Sequence, residues 1–575
     1  MEEKHQLDET RKDWADIFLT GGTVLNVYSG ELLETNVAIT GERFSYVGDS
    51  SDLVGRDTKV IDMSNKFLVP GYIDPHFHPW FVYNPISFAQ EACPLGITTL
   101  FCDNLLFYML MGVERFEGFM HAFSQMPIKF FWFCRAVPQT PMVEEDALFS
   151  LENLKRLLGS PYVQSLGEIT RWPQVIKGDE KISEMIKFTK TLKKRVDGHT
   201  AGAKYDQVGL LSKAGIESCH EAITAQEVLD RLRLGMYVIL RESSLRQDLK
   251  DLLRVVTENK VLTDRLMLTT DCSAPAFYQD FGITDHILKI AIEMGIDPVL
   301  VYRMVTINPA VYFGMDHEIG GIAPGRFADL VVLNDLRNPA PEIVISKGQI
   351  IAQDGRLLEP FPNVDWEYFL PPASFSKNNW KAKEGLFGIR SDKEDIRFPV
   401  INLIKPVITR LEWEKFQVKN GLVDLGNGQE HCFITLIHRD GQWVRNGIIK
   451  GFGNVDGFAS SFNTAAQILV IGRDRTAMAA AVNRVLEIRG GVVGVEKDRI
   501  AYELPLPIGG IMSDKPMNEL AEKERELKAF LAARGYPFHD PFYTLVFLPN
   551  DFLPEVRINY RGIVNIKTNE VLWPW

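Results

Sequence analysis

The sequence predicts an α/β protein built on a (β/α)8, TIM-type barrel, with a small β-sheet contributed from both sides of the barrel and a C-terminal α+β domain. Three observations carry this. Between Phe67 and about Asn308, apolar β-type runs alternate with helical stretches eight times. Several of those runs end in His, Glu or Asp, as strands do when their C-terminal ends converge on an active site. Short β-type runs punctuated by Gly, Asn, Asp and Ser precede the alternation, and β-type sequence returns after it.

At 575 residues the chain is too long for one core, so two or three domains are expected. A hydrophobic share of 46% and a charged share of 24% suit a soluble globular protein. The net charge of −12 argues against a nucleic-acid surface, which needs clustered Lys and Arg. No apolar run approaches the roughly 18 residues of a membrane helix. The aromatic run Phe130–Phe133 reads as part of a short buried strand. The polar, acidic N-terminus carries no secretory signal. Cysteines 93, 102, 134, 219, 272 and 432 are scattered without a Cys-x-x-Cys pair, which points to a reducing cytoplasm.

Residues 1–66 begin with a charged lead-in, a helix or a disordered arm, and continue into β-runs at Ile17–Asn26, Asn36–Gly41 and Arg43–Gly48. Residues 67–317 hold the barrel. Its eight β-runs are Phe67–Asp74, Ile97–Asp103, Ile128–Ala136, Gln164–Ile169, Arg195–His199, Gly215–His220, Met236–Glu242 and Arg265–Asp271. Lys181–Lys194 and Ala225–Leu234 read as helices between them. Residues 318–358 complete the first sheet, with β-type sequence to Leu333 and one further strand at Ile343–Ile351. A Pro- and Asn-rich stretch, residues 359–384, reads as a linker. In residues 385–575, Val400–Ile404, Phe433–Ile437 and Ile468–Ile471 read as strands, and Ala477–Ile488 and Met517–Ala533 as helices.

The strand ends carry the chemistry. Strand one runs into His76-Phe-His78, and side chains two apart in a strand share a face. Imidazole suits Zn, Mn, Fe and Ni alike. Strand four ends in Glu168, strand five in His199, strand six in His220 and strand eight in Asp271. Singly, His199 or His220 also fits a hydrogen-bonded core residue. Together the six predict a metal site at the C-terminal face. Arg241 and Glu242 end strand seven, placed either to orient a substrate or to form a structural ion pair.

Pro70-Gly-Tyr-Ile-Asp-Pro-His-Phe-His78 and Ile322-Ala-Pro-Gly-Arg-Phe-Ala-Asp-Leu-Val-Val332 resemble the amidohydrolase superfamily. Narrower matches place the chain near the bacterial adenine deaminases, as a divergent member. They include Gly198-His-Thr-Ala-Gly202, Gly215-Ile-Glu-Ser-Cys-His-Glu221, Arg233 to Glu242, Tyr302 to Ala310, Lys450-Gly-Phe-Gly453, Ala481 to Gly491 and Glu503 to Asp514. The resemblance covers nearly the whole chain. It implies a composite β-sandwich, the barrel and the α+β domain, and a metal-dependent purine deaminase typically supported by manganese or iron. The chain departs from the family at three places. Trp80 stands where the family has Glu, Asp103-Asn-Leu-Leu106 where it has Asp-Pro-His-Glu, and Ser461-Phe-Asn-Thr-Ala-Ala466 where it has a His-Asp-Ser-His run. Every expected metal ligand is retained.

The chemistry expected is metal-assisted hydrolysis at a binuclear centre of manganese or iron, with zinc as an alternative. His76, His78 and Asp271 would hold one ion, His199 and His220 a second, and Glu168 would bridge them. Metal-bound hydroxide would attack, and Asp271 would pass the proton to the departing nitrogen. With Glu168 and Asp271 as catalytic groups, adenine and water would give hypoxanthine and ammonia. Trp80, Asn104, Leu105 and Phe462–Ala466 are expected to make the pocket less polar, with Trp80 stacking on the substrate. Adenine would then be a weak substrate, and a bulkier or less polar cyclic amidine or amide a better one. Two rivals stay open: hydrolysis of another cyclic amidine or amide on the same metals, and a barrel that only binds. The partner expected is a small heterocycle, not nucleic acid or membrane; a homo-oligomer is left open.

Overall fold

The structure is a computed structural model and describes residues 14–371, 375, 380–426, 428 and 430–573. The N-terminal lead-in up to residue 13 lies outside the described residues, as do residues 372–374 and 376–379 of the expected linker.

The first strands are β1 (Ile17–Asn26), β2 (Glu31–Thr40), β3 (Arg43–Gly48), β4 (Lys59–Asp62) and β5 (Phe67–Pro70). Beyond the barrel, β14 (Leu330–Leu333), β15 (Ile343–Ser346), β16 (Gln349–Gln353) and β17 (Arg356–Leu357) complete the same nine-stranded sheet. Its seam is β5 against β14, with Val69 opposite Val331. The stretch 343–351, expected as one strand, is a hairpin. Lys347 (φ 48°) and Gly348 (φ 73°) both occupy left-handed backbone, the turn that matches strand twist.

The barrel follows the expected rhythm, in parallel and in sequence order. Its strands are β6 (Tyr72–Phe77), β7 (Ile97–Cys102), β8 (Lys129–Cys134), β9 (Val163–Ile169), β10 (Arg195–Gly198), β11 (Ser218–Cys219), β12 (Tyr237–Arg241) and β13 (Leu266–Thr269). A Phe77–Asp271 bridge joins the last strand to the first, and His78 N–H donates to Asp271 O at 3.0 Å. One expectation is corrected: Phe67–Asp74 is not one strand. Phe67–Pro70 joins the composite sheet, and the barrel strand starts after Gly71. A Cβ on Gly71 would lie 2.3 Å from Thr98 Oγ1, so only glycine passes this close to β7. The lower barrel is filled by Ile73, Phe101, Phe133, Ile239 and Met267, and helix 307–313 plugs it, with Phe313 stacked on Phe101 at 3.6 Å. This apolar plug leaves the opposite end as the place where polar side chains gather.

The expected helices form at Glu180–Thr191, capped by Asp179 on Ile182 N–H, and at Ala225–Arg233, capped by Thr224. The C-terminal region holds a nine-stranded sheet that includes β18 (Asp395–Lys405) and β19 (Ile408–Lys419), a separate three-stranded sheet (Val556–Asn559, Gly562–Asn565 and Glu570–Trp573), and helices including Arg475–Glu487 and Met517–Ala532. The strands expected at 400–404, 433–437 and 468–471 all fall within strands of the nine-stranded sheet. Its β18–β19 turn and the segment 543–554 reach the mouth of the barrel.

Candidate active site

All six expected ligands meet at the C-terminal ends of the barrel strands, and all are buried. His76 lies in β6 and His78 just after it. Glu168 lies in β9, and His199, His220 and Asp271 follow β10, β11 and β13. His78 Nε2 stands 3.1 Å from Asp271 Oδ1 and 3.7 Å from Glu168 Oε2. His76 Nε2 is 3.5 Å from the same Asp271 oxygen. Glu168 Oε1 is in close contact with His199 Nδ1 and 3.3 Å from His220 Nε2. Donor atoms of three sets lie within 4.8 Å of one another: His76, His220 and Asp271; His76, His78 and Glu168; Glu168, His199 and His220. His76 Nε2 and Asp271 Oδ1 are buried without a hydrogen-bond partner among the described residues. Lone pairs gathered like this repel unless a cation lies between them, so the donor set fits divalent metal.

Without a bound ion, the surrounding charges favour the ligand form of the two carboxylates, while the His78 imidazole is held as a cation whose proton a metal would have to displace. Burial alone would raise Asp271, but the Arg241 guanidinium and His78 hold its carboxyl well below the usual range. Arg241 Nη1 donates to Asp271 Oδ2 at 2.7 Å and to Glu221 Oε1 at 2.6 Å. Glu168 is likewise held well below its usual range, against burial, by Arg135 and His199. Arg135 Nη2 donates to Glu168 Oε2 at 2.5 Å, its Nη1 to Glu168 O at 3.0 Å, and its Nε to Asp103. Burial would lower His78, but Asp103 and Asp271 push it up to about 10. Asp197 Oδ2 lies 3.0 Å from His76 Nδ1, the kind of outer carboxylate that orients a ligand ring. Asp271 itself adopts φ 58°, an unfavourable value for a non-glycine residue.

Asp103, Arg135, Asp197 and Glu221 were missed by ligand-type reasoning. Each lies in or just beyond a barrel strand, so the strand-end rule applied to every charged residue would have found them. Of the two residues expected to orient substrate, only Arg241 faces the cavity. Glu242 is corrected: adjacent strand residues point to opposite sides, and its carboxylate turns away to accept from Leu249 N–H at 3.1 Å. No ion pair links the two; Arg241 is paired with Glu221 and Asp271. Trp80 lines the cavity. It stands edge-on to His78, with centroids 5.1 Å apart, and donates Nε1–H to Asp103 at 2.8 Å.

Asn104, Leu105 and Phe462–Ala466, expected to shape the pocket, do not line it. Asn104 Oδ1 accepts from Arg135 N–H, and Phe462 packs behind the wall against Phe81. The apolar wall comes from the C-terminal region instead: Val407, Ile408, Val546, Phe547, Phe552 and Leu553. The cavity they close has a volume of about 780 Å³.

The sequence matches the amidohydrolase family over residues 67–351 and the adenine deaminase C-terminal domain over residues 406–570. It is 37% identical to a provisionally named adenine deaminase of Halalkalibacterium halodurans, covering 99% of this chain and 97% of that protein. It is 32% identical to an adenine deaminase of Moorella thermoacetica, covering 96% of this chain and 94% of that protein. A β-aspartyl dipeptidase from Fervidobacterium islandicum overlays with a TM-score of 0.46 at 16% identity, covering 61% of this chain and 99% of that one.

Proposed function

The chain belongs to the adenine deaminase family of the amidohydrolases, and from that premise we propose that it hydrolyses the C–N bond of a cyclic amidine, with adenine to hypoxanthine and ammonia as the reference reaction. The observation that carries this is the cluster of His76, His78, Glu168, His199, His220 and Asp271, all but the fully buried His76 lining the floor of one cavity, with His76 Nε2 and Asp271 Oδ1 left for a cation. His76, His78 and Asp271 would hold one ion, His199 and His220 a second, with Glu168 between. Manganese or iron is the metal proposed, with zinc the alternative. When bound, such ions activate water and polarise the carbon under attack.

The protein's own groups then do the following. Asp271 takes a proton as the water oxygen bonds to C6, and delivers it to the exocyclic nitrogen as the C6–N bond breaks. Arg241 fixes Asp271 through Oδ2 and leaves Oδ1 facing the floor. Arg135 fixes Glu168 in the same way. Trp80 braces His78 edge-on, held in place by its hydrogen bond to Asp103. A second reading, hydrolysis of another cyclic amidine or amide, is favoured by the apolar wall that adjoins this floor. The six cysteines are all free and buried, which suits the proposed cytoplasmic setting in purine metabolism. No helix among the described residues is long and apolar enough to cross a membrane.

The test is product analysis after incubating manganese-loaded protein with purines and cyclic ureides. Ammonia and the matching oxo product are expected from at least one of them. Metal-free protein with full activity would overturn the mechanism.

A further inference from the structure

We propose that the natural substrate carries an apolar arm beyond the ring that holds its scissile C–N bond, and that the C-terminal domain reads that arm. This rests on the function proposed above. The cavity volume of about 780 Å³ belongs to the range of sites that enclose drug-sized ligands, well beyond what a bare bicyclic base fills. Its two parts differ in kind. The floor is His78, Glu168, His199, His220 and Asp271; the adjoining apolar wall is Val407, Ile408, Val546, Phe547, Phe552 and Leu553. The wall begins directly at the floor, since the Phe552 ring stands 5.1 Å from that of His199 and 5.6 Å from that of Phe547. A ring bound over the floor therefore projects its next atoms against hydrocarbon.

The wall is built, not collapsed. Buried Arg557 donates to three main-chain carbonyls, those of Val407 (2.5 Å), Pro554 (2.8 Å) and Leu553 (3.3 Å). It thereby ties the β18–β19 turn to the 552–554 segment. Thr544 Oγ1 fastens the same turn through Pro406 O at 2.6 Å. Asp551 anchors the assembly to the barrel, accepting from Arg171 at 2.7 Å and donating its N–H to Gln139 O at 2.9 Å. A preformed apolar wall facing water gains free energy when a ligand covers it, and a small polar base would leave it wet. The exposed Lys405 and His539 stand among the residues lining the cavity, so the far end of the arm can return to water there.

The experiment compares ring-only and arm-bearing probes on the metal-loaded protein: adenine with N6-benzyladenine, and hydantoin with 5-benzylhydantoin. Both kcat/KM and equilibrium binding are measured. For N6-benzyladenine, water oxygen bonds to C6, the C6–N bond breaks, and benzylamine leaves with the proton. The benzyl group is expected to improve binding or kcat/KM at least tenfold in one pair, as burial of a phenyl ring would. Ile408→Ala and Phe552→Ala should bring that arm-to-ring ratio down toward one. Ring-only probes hydrolysed without any gain from the benzyl group would overturn the arm and leave the function standing. Tighter binding of the benzyl probes without hydrolysis of any probe would support the wall and overturn the function. No hydrolysis and no difference in binding would overturn both.

Discussion

Arg135→Met removes the fully buried cation that holds two carboxylates, and its cost follows from what it leaves behind. Arg135 reaches Asp103 through Nε, Glu168 Oε2 at 2.5 Å through Nη2 and Glu168 O at 3.0 Å through Nη1. All three residues are buried. Methionine fills much of the volume, so the loss is electrostatic: two carboxylates remain in the interior without their partner. Breaking a buried pair from one side costs about 3–5 kcal/mol. Urea unfolding of metal-stripped protein should show a loss of that size with the slope unchanged. Arg135→Lys should lose less, because a positive charge is kept beside the carboxylates, though not nothing, because one ammonium cannot span both. Asp103→Asn added to Arg135→Met should recover part of the loss by removing one stranded charge. Metal content should also fall, since Glu168 loses the contact that sets its orientation. If Arg135→Met kept both its unfolding midpoint and its metal, the assignment of Arg135 as the holder of Glu168 would be refuted.

Asp271→Asn should lower kcat by on the order of 10²–10⁴, the usual worth of acid–base catalysis, with a smaller fall in metal content; an unchanged kcat would show that another group moves the proton. His76→Ala and His199→Ala should each reduce bound metal from between one and two ions per chain, read by elemental analysis of protein grown with manganese. Burial raises the Glu242 carboxyl from 4.5 to about 7, so its protonated form favours the fold. That contribution is full below the unfolded value and is lost as pH rises to about 7. Glu242→Gln should therefore gain stability over the parent as pH rises through that window, in unfolding measured at pH 5 and pH 8. Parallel pH profiles would remove Glu242 as the cause.

The barrel and the meeting of its polar strand ends were legible because both follow from local pattern. Apolar runs of strand length recur with helices between them, and a strand's last residues must emerge at one end of the barrel. His76, His78, Glu168, His199, His220 and Asp271 could thus be placed together before their distances were known. Even Glu242 was placed in the right strand end, though on the wrong side of it, since a side chain's face depends on register as well as position. What only the tertiary structure decided is which charges meet. Arg135 neutralises Glu168 and Asp103 from a neighbouring strand, and Arg241 joins Asp271 to Glu221 rather than pairing with Glu242. The apolar wall is more distant still, since Val407 and Phe552 lie in the C-terminal region and reach the site only through packing held by Arg557 and Asp551. Periodicity records how each segment turns its faces to water or core. It holds no record of which remote segment will supply the opposite charge or the covering hydrocarbon, because those contacts exist only once the domains are packed.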